Sequence, residues 1–232
     1  ILNLYKQSVL NLPVMNVLRT NQYQEITMYQ NQTFISQYNY NQRNLGEVHR
    51  LLDDLFTYYS KVLVVRLDFY FNDAYAHQLQ QSHITDYIVK LRNNSRSNQI
   101  FNSMLTYIMK LEYGEQKGWH LHAMFFFDGN KVADASYKAI QIGSYWVDTI
   151  VGNQLAYYFN CHEREYDQNG IGRMEYHDED KRRILNDVVA YFCKLDETTL
   201  NQFPQNQRSP RTFFRGQLKI NPNHKSGRPR LY

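Results

Sequence analysis

Two apolar runs joined by a tight turn constrain this chain more than any other feature. Between Met104 and Tyr113, Leu105, Tyr107, Met109 and Leu111 alternate with Thr106, Lys110 and Glu112. A period of two is the mark of a β-strand, whose successive side chains point to opposite faces. Gly114 and the pair Lys117-Gly118 bracket a short turn, and Trp119 to Phe127 is again strand-like, ended by Asp128-Gly129-Asn130. Two strands this close in sequence can pair only as an antiparallel hairpin.

The rest of the pattern builds around that hairpin. Lys61 to Phe71, KVLVVRLDFYF, is a further strand, apolar at every odd position from Leu63. Its charged residues Arg66 and Asp68 stand at even positions, so one face is expected in the core and the other outside it. Helical spacing predicts helices over Leu45–Tyr59, Asp73–Leu91 and Ala133–Val151. Asn93–Asn98 reads as a polar loop, Asn153–Arg164 is ambiguous, and Ile171–Tyr176 is a short strand. Asp178, Glu179 and Asp180 supply negative charge for the start of a helix running to about Leu195. Leu2–Leu18 is helical in pattern but interrupted by Pro13. The expected fold is α+β, with a central antiparallel sheet flanked by helices. Three regions are expected: a polar extension over 1–45, the main domain over 46–200 and a basic tail over 201–232.

The hairpin also carries chemistry. His120 and His122 are separated by one residue, so on a strand both imidazoles share a face. Glu112 and Glu115 lie just upstream. Two histidines and a carboxylate form a ligand set for a divalent metal with positions left open for substrate. Glu112 is the better third ligand, because a strand end is held by its ladder while a glycine-flanked turn is not.

Charge is unevenly distributed in the 232-residue chain, whose net charge is +4. After Glu197 no acidic residue occurs, and Arg208, Arg211, Arg215, Lys219, Lys225, Arg228 and Arg230 follow. A basic tail on a near-neutral body points to a polyanionic partner such as nucleic acid. No apolar run reaches the roughly 20 residues of a membrane span. Cys161 and Cys193 do not make a disulfide framework, so a reducing cytoplasm is expected. No phosphate-binding loop of the Walker type is present, so any duplex unwinding would fall to a separate helicase.

The segment EYGEQKGWHLH, Glu112 to His122, resembles the His-hydrophobe-His motif of the HUH endonucleases. With VVRLDFYF at Val64–Phe71, VVAYFCK at Val188–Lys194 and GRPR at Gly227–Arg230, the chain resembles the rolling-circle replication initiators of inoviruses and their prophage relatives. The resemblance spans about residues 61–230 and implies a Rep-like, ferredoxin-like palm. It implies a nucleophilic tyrosine in a Tyr-x-x-Lys motif on a helix, and four tyrosines fit: Tyr58, Tyr87, Tyr107 and Tyr191. Tyr107 falls on the apolar face of a strand. Tyr87 lies upstream of the histidines, the order of relaxases; Tyr191 lies downstream, the order of replication initiators. Tyr191 and Lys194, three apart, are expected on one helix face with Asp187.

What the resemblance implies is an enzyme: a metal-dependent, site-specific nickase and strand transferase working through a 5′-phosphotyrosine. Tyr191 and Lys194 would be its catalytic residues, and Glu112, His120 and His122 would hold Mn²⁺ or Mg²⁺. The substrate would be single-stranded or origin DNA, met by Arg66, Arg211, Arg215, Lys225, Arg228 and Arg230. Tyr70, Trp119 and Phe126 are candidates for stacking on bases. Host helicase and polymerase would be partners in the bacterial cytoplasm, with no membrane role. Two alternatives stand beside this: a relaxase or transposase of the same superfamily, and a non-catalytic DNA-binding regulator.

Overall fold

The sheet is built outward from β1 (Lys61–Phe71), which is paired along both edges. In this computed structural model, which describes residues 39–76, 78–166, 169–203 and 211–220, β1 pairs with β3 (Gly118–Asp128) from Val62 opposite Asp128 to Phe69 opposite Leu121. The hairpin forms as expected: β2 (Met104–Gly114) pairs with β3, ending on Gly114 opposite Gly118. The other edge of β1 holds two short strands. β4 (Ala156–Asn160) lies against Leu67–Phe71, and β5 (Gly172–Glu175) against Lys61–Val64. With β6 (Phe213–Arg215) on the outer edge of β2, the order is β4-β1-β3-β2-β6, and every pairing is antiparallel. The fold is α+β, a six-stranded antiparallel sheet flanked by helices. Among the described residues, no helix is long and apolar enough to cross a membrane.

Both faces of the sheet are covered, which corrects the reading of β1 as half outside the core. One face buries Leu63, Val65, Leu67, Phe69 and Phe71 against α3 (Gln81–Asn94) and α4 (Ala135–Tyr145). The other buries Val62, Val64, Met124 and Phe126 against α1 (Gln42–Tyr58) and α5 (Glu179–Tyr191). α1 is capped by the Asn41 side chain, which accepts from the Asn44 amide. It turns Val48, Leu51, Leu52, Leu55 and Phe56 inward at helical spacing. Arg66 and Asp68 therefore lie under helices, where an unpartnered polar group costs several kcal/mol, on the order of 2–7.

Other departures have local causes. The helix expected over Asp73–Leu91 is two, α2 (Asp73–Ala76) and α3, because Gln80 is extended and its amide donates to His83 Nδ1 at 3.2 Å, starting a new helix. The helix expected to reach Val151 becomes a π turn over Trp146–Val151, where the Gly152 amide donates to Val147 O at 2.9 Å. That turn seats Trp146 on Phe69, ring centroids 4.6 Å apart. A bulge between Met104 and Thr106 puts Leu105 on the α1/α5 face, not with Met109 and Leu111 as alternation predicted. Part of the expected basic tail is sheet: Phe213 and Phe214 are buried, and β6 completes the edge. The helix expected within Leu2–Leu18 lies outside the described residues, as do Arg208, Lys225, Arg228 and Arg230.

Candidate metal centre

Strand register assembles the centre. In the β2–β3 ladder Glu112 stands opposite His120 and Lys110 opposite His122; in the β1–β3 ladder Asp68 stands opposite His122. All belong to the α1/α5 face near the hairpin end, so five titratable groups converge beneath α5. Glu112, His120 and His122 are 3, 3 and 4% exposed. One donor atom from each lies within 4.8 Å of the other two. Glu115 is exposed in the turn and takes no part in this group.

The hydrogen bonds orient both rings. His122 Nδ1–H donates to Asp68 Oδ1 at 2.7 Å, and His120 Nδ1–H donates to the Gly118 carbonyl at 3.1 Å. Their Nε2 atoms are thereby turned toward Glu112 Oε2, at 3.4 Å from His122 and 3.8 Å from His120. A carboxylate or carbonyl behind each imidazole is the arrangement that fixes a metal-binding tautomer. Glu112 Oε1 and His122 Nε2 are buried without a hydrogen bond, the orphaned state that a cation between them would relieve. Two nitrogens, one carboxylate and their satisfied outer bonds fit a divalent ion; these three residues can hold a metal.

Without a metal, charge is shared as protons. Burial pulls the His122 imidazole down, but the Asp68 charge and hydrogen bond, joined by Glu112, raise it to about 9. Burial pushes Glu112 up, yet His122 and the Lys194 ammonium hold it far below the usual carboxylate range. Asp68 is likewise held down against burial by His122 and Arg66.

The end of α5 supplies the remaining groups. Asp178 caps that helix through the Lys181 amide, and Leu185, Val188 and Val189 bury its inner face. Tyr191 is its last residue, 5% exposed, its ring 6.1 Å from the His122 ring. The helix stops there, four residues short of the expected Leu195. Lys194 therefore lies beyond it in a tight turn, where its amide donates to Tyr191 O at 3.1 Å. Lys194 Nζ is 2.5 Å from the Tyr191 hydroxyl and 3.4 Å from Glu112 Oε2. The turn is pinned from two sides. Lys110 Nζ donates to Lys194 O at 3.1 Å. The Asn41 and Leu195 amides exchange bonds with Cys193 O and Asn39 O, around a bridge between Tyr40 and Lys194. Asp187, expected to join this face, has Arg183 and His49 as its charged neighbours.

The other three tyrosines stand elsewhere. Tyr87 lies on the opposite face of the sheet, against Phe71 and Trp146, its hydroxyl 2.6 Å from Tyr75 and pushed up to about 12 by burial and that bond. Tyr107 packs on that same face and accepts from Arg92 Nε at 2.6 Å. Tyr58 ends α1 and is exposed. Only Tyr191 of the four reaches the ligand cluster.

The model of the YagK/YfjJ C-terminal domain family matches residues 23–209, four-fifths of the chain, including every residue of the cluster, Tyr191 and Lys194. The chain belongs to the YagK/YfjJ C-terminal domain family. That family's name carries no activity. No curated protein matches the chain, and no solved structure does.

In this family member the expected DNA-contacting residues divide. Arg66 is 4% exposed, its guanidinium 3.9 Å from Asp68 Oδ1 and 5.8 Å from the Phe192 ring, so it is built into the centre and does not face solvent. Arg211 and Arg215 instead line a cavity of about 600 Å³ with Arg43, Lys110 and Lys194. Glu47 holds both Arg43 and Arg215, at 3.2 and 3.0 Å. Of the three aromatics expected to stack on bases, Trp119 and Phe126 are core, while Tyr70 is held between His120 and Tyr157. Asp68 and Lys110 were not anticipated in the site. Their signal was a charged residue on the non-apolar side of an otherwise apolar strand.

Proposed function

We propose that this chain is a metal-dependent nickase and strand transferase for single-stranded DNA, of the HUH type, acting at a replication origin. The observation that carries it is convergence: Tyr191 and Lys194 arrive at Glu112, His120 and His122 from about 70 residues downstream. Tyrosine, ammonium and a three-residue ligand set are the parts of phosphodiester transesterification. A divalent ion, Mn²⁺ or Mg²⁺, held by Glu112, His120 and His122 would supply Lewis-acid polarisation of the phosphate.

The chain's own groups do the rest. The Tyr191 oxygen attacks phosphorus, a Tyr–O–P bond forms and the P–O3′ bond breaks; the phenol proton leaves and the 3′ oxygen gains one. Lys194 donates a charged hydrogen bond to the phenol oxygen, lowering the cost of negative charge as the proton departs. Asp68 keeps the His122 ring in place, and burial excludes water from the 5′-phosphotyrosine, so a later 3′-OH can religate it. The cationic cavity beside Lys194 suits the phosphates of the adjoining strand. The position of Tyr87 behind the sheet weighs against the relaxase order. A host helicase and polymerase would act on the nicked product.

The test is incubation with single-stranded origin DNA and Mn²⁺, then a denaturing gel and peptide mapping. A covalent adduct on Tyr191 is expected, absent with Tyr191→Phe or EDTA. An adduct that persists in Tyr191→Phe would refute the assignment.

A further inference from the structure

A row of parallel rings leads from the ligand cluster to the edge of the sheet. The Tyr70 ring lies 5.6 Å from that of His120 with 17° between planes, and 5.2 Å from that of Tyr157 with 16°. Each ring comes from a neighbouring strand, β3, β1 and β4. Register produces the alignment, since Tyr70 stands opposite Tyr157 in the β1–β4 ladder. The row passes from buried to open: His120 and Tyr70 are each 3% exposed and Tyr157 is 44%. Among the described residues β4 is the edge strand, and none of their strands continues the row past Tyr157. Lys117 Nζ sits 5.6 Å over the Tyr70 ring and adds positive charge beside it. Tyr191 and the cationic cavity lie toward β2 and β6, so the row leaves the cluster on the other side.

We infer that Tyr157 is a nucleobase-stacking platform for single-stranded DNA whose phosphate occupies the cluster. The inference rests on the proposed strand chemistry for its choice of ligand. An exposed aromatic held face-on by a second ring is already ordered, so a base can extend the stack without first immobilising its support. Its sequence tolerance follows from the π face that every base presents. Taking the ring spacings with the 3.4 Å rise of a stacked strand, the stacked base lies roughly two to four nucleotides from the phosphate held at His120. Attack by Tyr191 expels O3′ on the side away from the tyrosine, which assigns the platform to the strand that ends in the free 3′-OH. That strand must be retained for religation, and stacking on Tyr157 retains it.

The experiment uses the full chain, free of metal so that binding is read without cleavage. A fluorescent adenine analogue is placed in turn at each position of a single-stranded oligonucleotide. Quenching at one position is expected with the wild type and with Tyr157→Phe, which keeps the ring. Tyr157→Val keeps β propensity on the edge strand and removes the ring. It is expected to abolish that quenching and weaken the Kd by about 5- to 100-fold. Unchanged quenching and affinity in Tyr157→Val, or no single-strand binding by the wild type, would overturn the inference. Nicking with Mn²⁺, read separately on the same variants, reports on the proposed function: a Tyr157→Val protein that cleaves and binds like wild type sinks only the platform, while ring-dependent quenching without any cleavage sinks only the nickase.

Discussion

A buried and a half-buried histidine shifted in opposite directions, His122 and His162, give the metal-free protein a stability maximum near pH 6.5. Burial and its neighbours leave His122 raised from 6.5 to about 9, so between those values the folded state holds a proton that the unfolded state has lost. Its contribution is complete below 6.5 and disappears as pH rises through 9. His162 is the reverse. Burial lowers it from 6.5 to about 4, and its Nε2 accepts from the Arg66 amide at 3.1 Å, which a protonated ring cannot do. Its contribution is present above 6.5 and is lost as pH falls toward 4. At about 1.4 kcal/mol per pH unit, each arm amounts to about 3 kcal/mol, a large share of the 5–15 kcal/mol that holds a typical domain together. Asp68 and Glu112 are depressed from 3.8 and 4.5, so the stability they supply is lost only below that window. The assay is urea unfolding followed by fluorescence of Trp119 and Trp146, in EDTA, at pH steps from 4.5 to 9 (about the span of the two arms). Mn²⁺ held at the proposed centre would replace the His122 Nε2 proton, so with the ion present the alkaline arm is expected to flatten while the acid arm stays. Superimposable profiles with EDTA and Mn²⁺, or metal-free stability that climbs from pH 6.5 to 9, would refute the reasoning.

Three further outcomes are expected. Asp68→Asn removes the charge behind His122 and weakens Mn²⁺ binding by about 10- to 100-fold in titration calorimetry. Lys194→Met keeps the aliphatic stem but removes the ammonium that contacts the Tyr191 hydroxyl; single-turnover cleavage slows by about a hundredfold, well beyond the weakening of substrate Kd from the loss of one cavity charge. Gly143→Ala drives a Cβ into the Tyr158 ring, an overlap that costs about 1–3 kcal/mol in thermal unfolding, and in a Tyr158→Ala background the same substitution costs little.

The strands of the hairpin and β1 were legible because charged residues stand two apart beside apolar ones, Arg66 and Asp68 in β1 and Lys110 and Glu112 in β2, and turn residues bound the apolar run of β3. The ligand set was legible for the same reason: placing His120 and His122 on one face and Glu112 on the facing strand needs only the hairpin. The second helical layer was not. Arg66 and Asp68 carry the same pattern whether their face meets water or a helix, and only α1 and α5 decide between those. Asp68 as partner to His122 depends on β1–β3 register across 54 residues, which no local pattern specifies. The bulge at Met104–Thr106 and the π turn each insert a register change within an otherwise regular run. β6 was hidden because three residues among basic and polar neighbours are too short to show a period. The end of α5 at Tyr191 was missed because Phe192, Cys193 and Leu195 continue an apolar pattern, of which the turn buries Phe192 and Cys193 and leaves Leu195 exposed.

The pairing of residues 39–41 with 193–195 sets a limit on how this chain can be shortened. Those three residues precede α1 and look dispensable to the sheet, yet they are the second strand of the two-residue-wide ribbon that holds Lys194 against Glu112. A fragment beginning at the first helical residue would keep all three ligands, yet it would remove one of the two anchors of the Lys194 turn and leave only the Lys110 bond to its carbonyl. A fragment that keeps this anchor therefore begins no later than Asn39, and tension applied to the chain at that point is delivered directly to the group beside the Tyr191 hydroxyl.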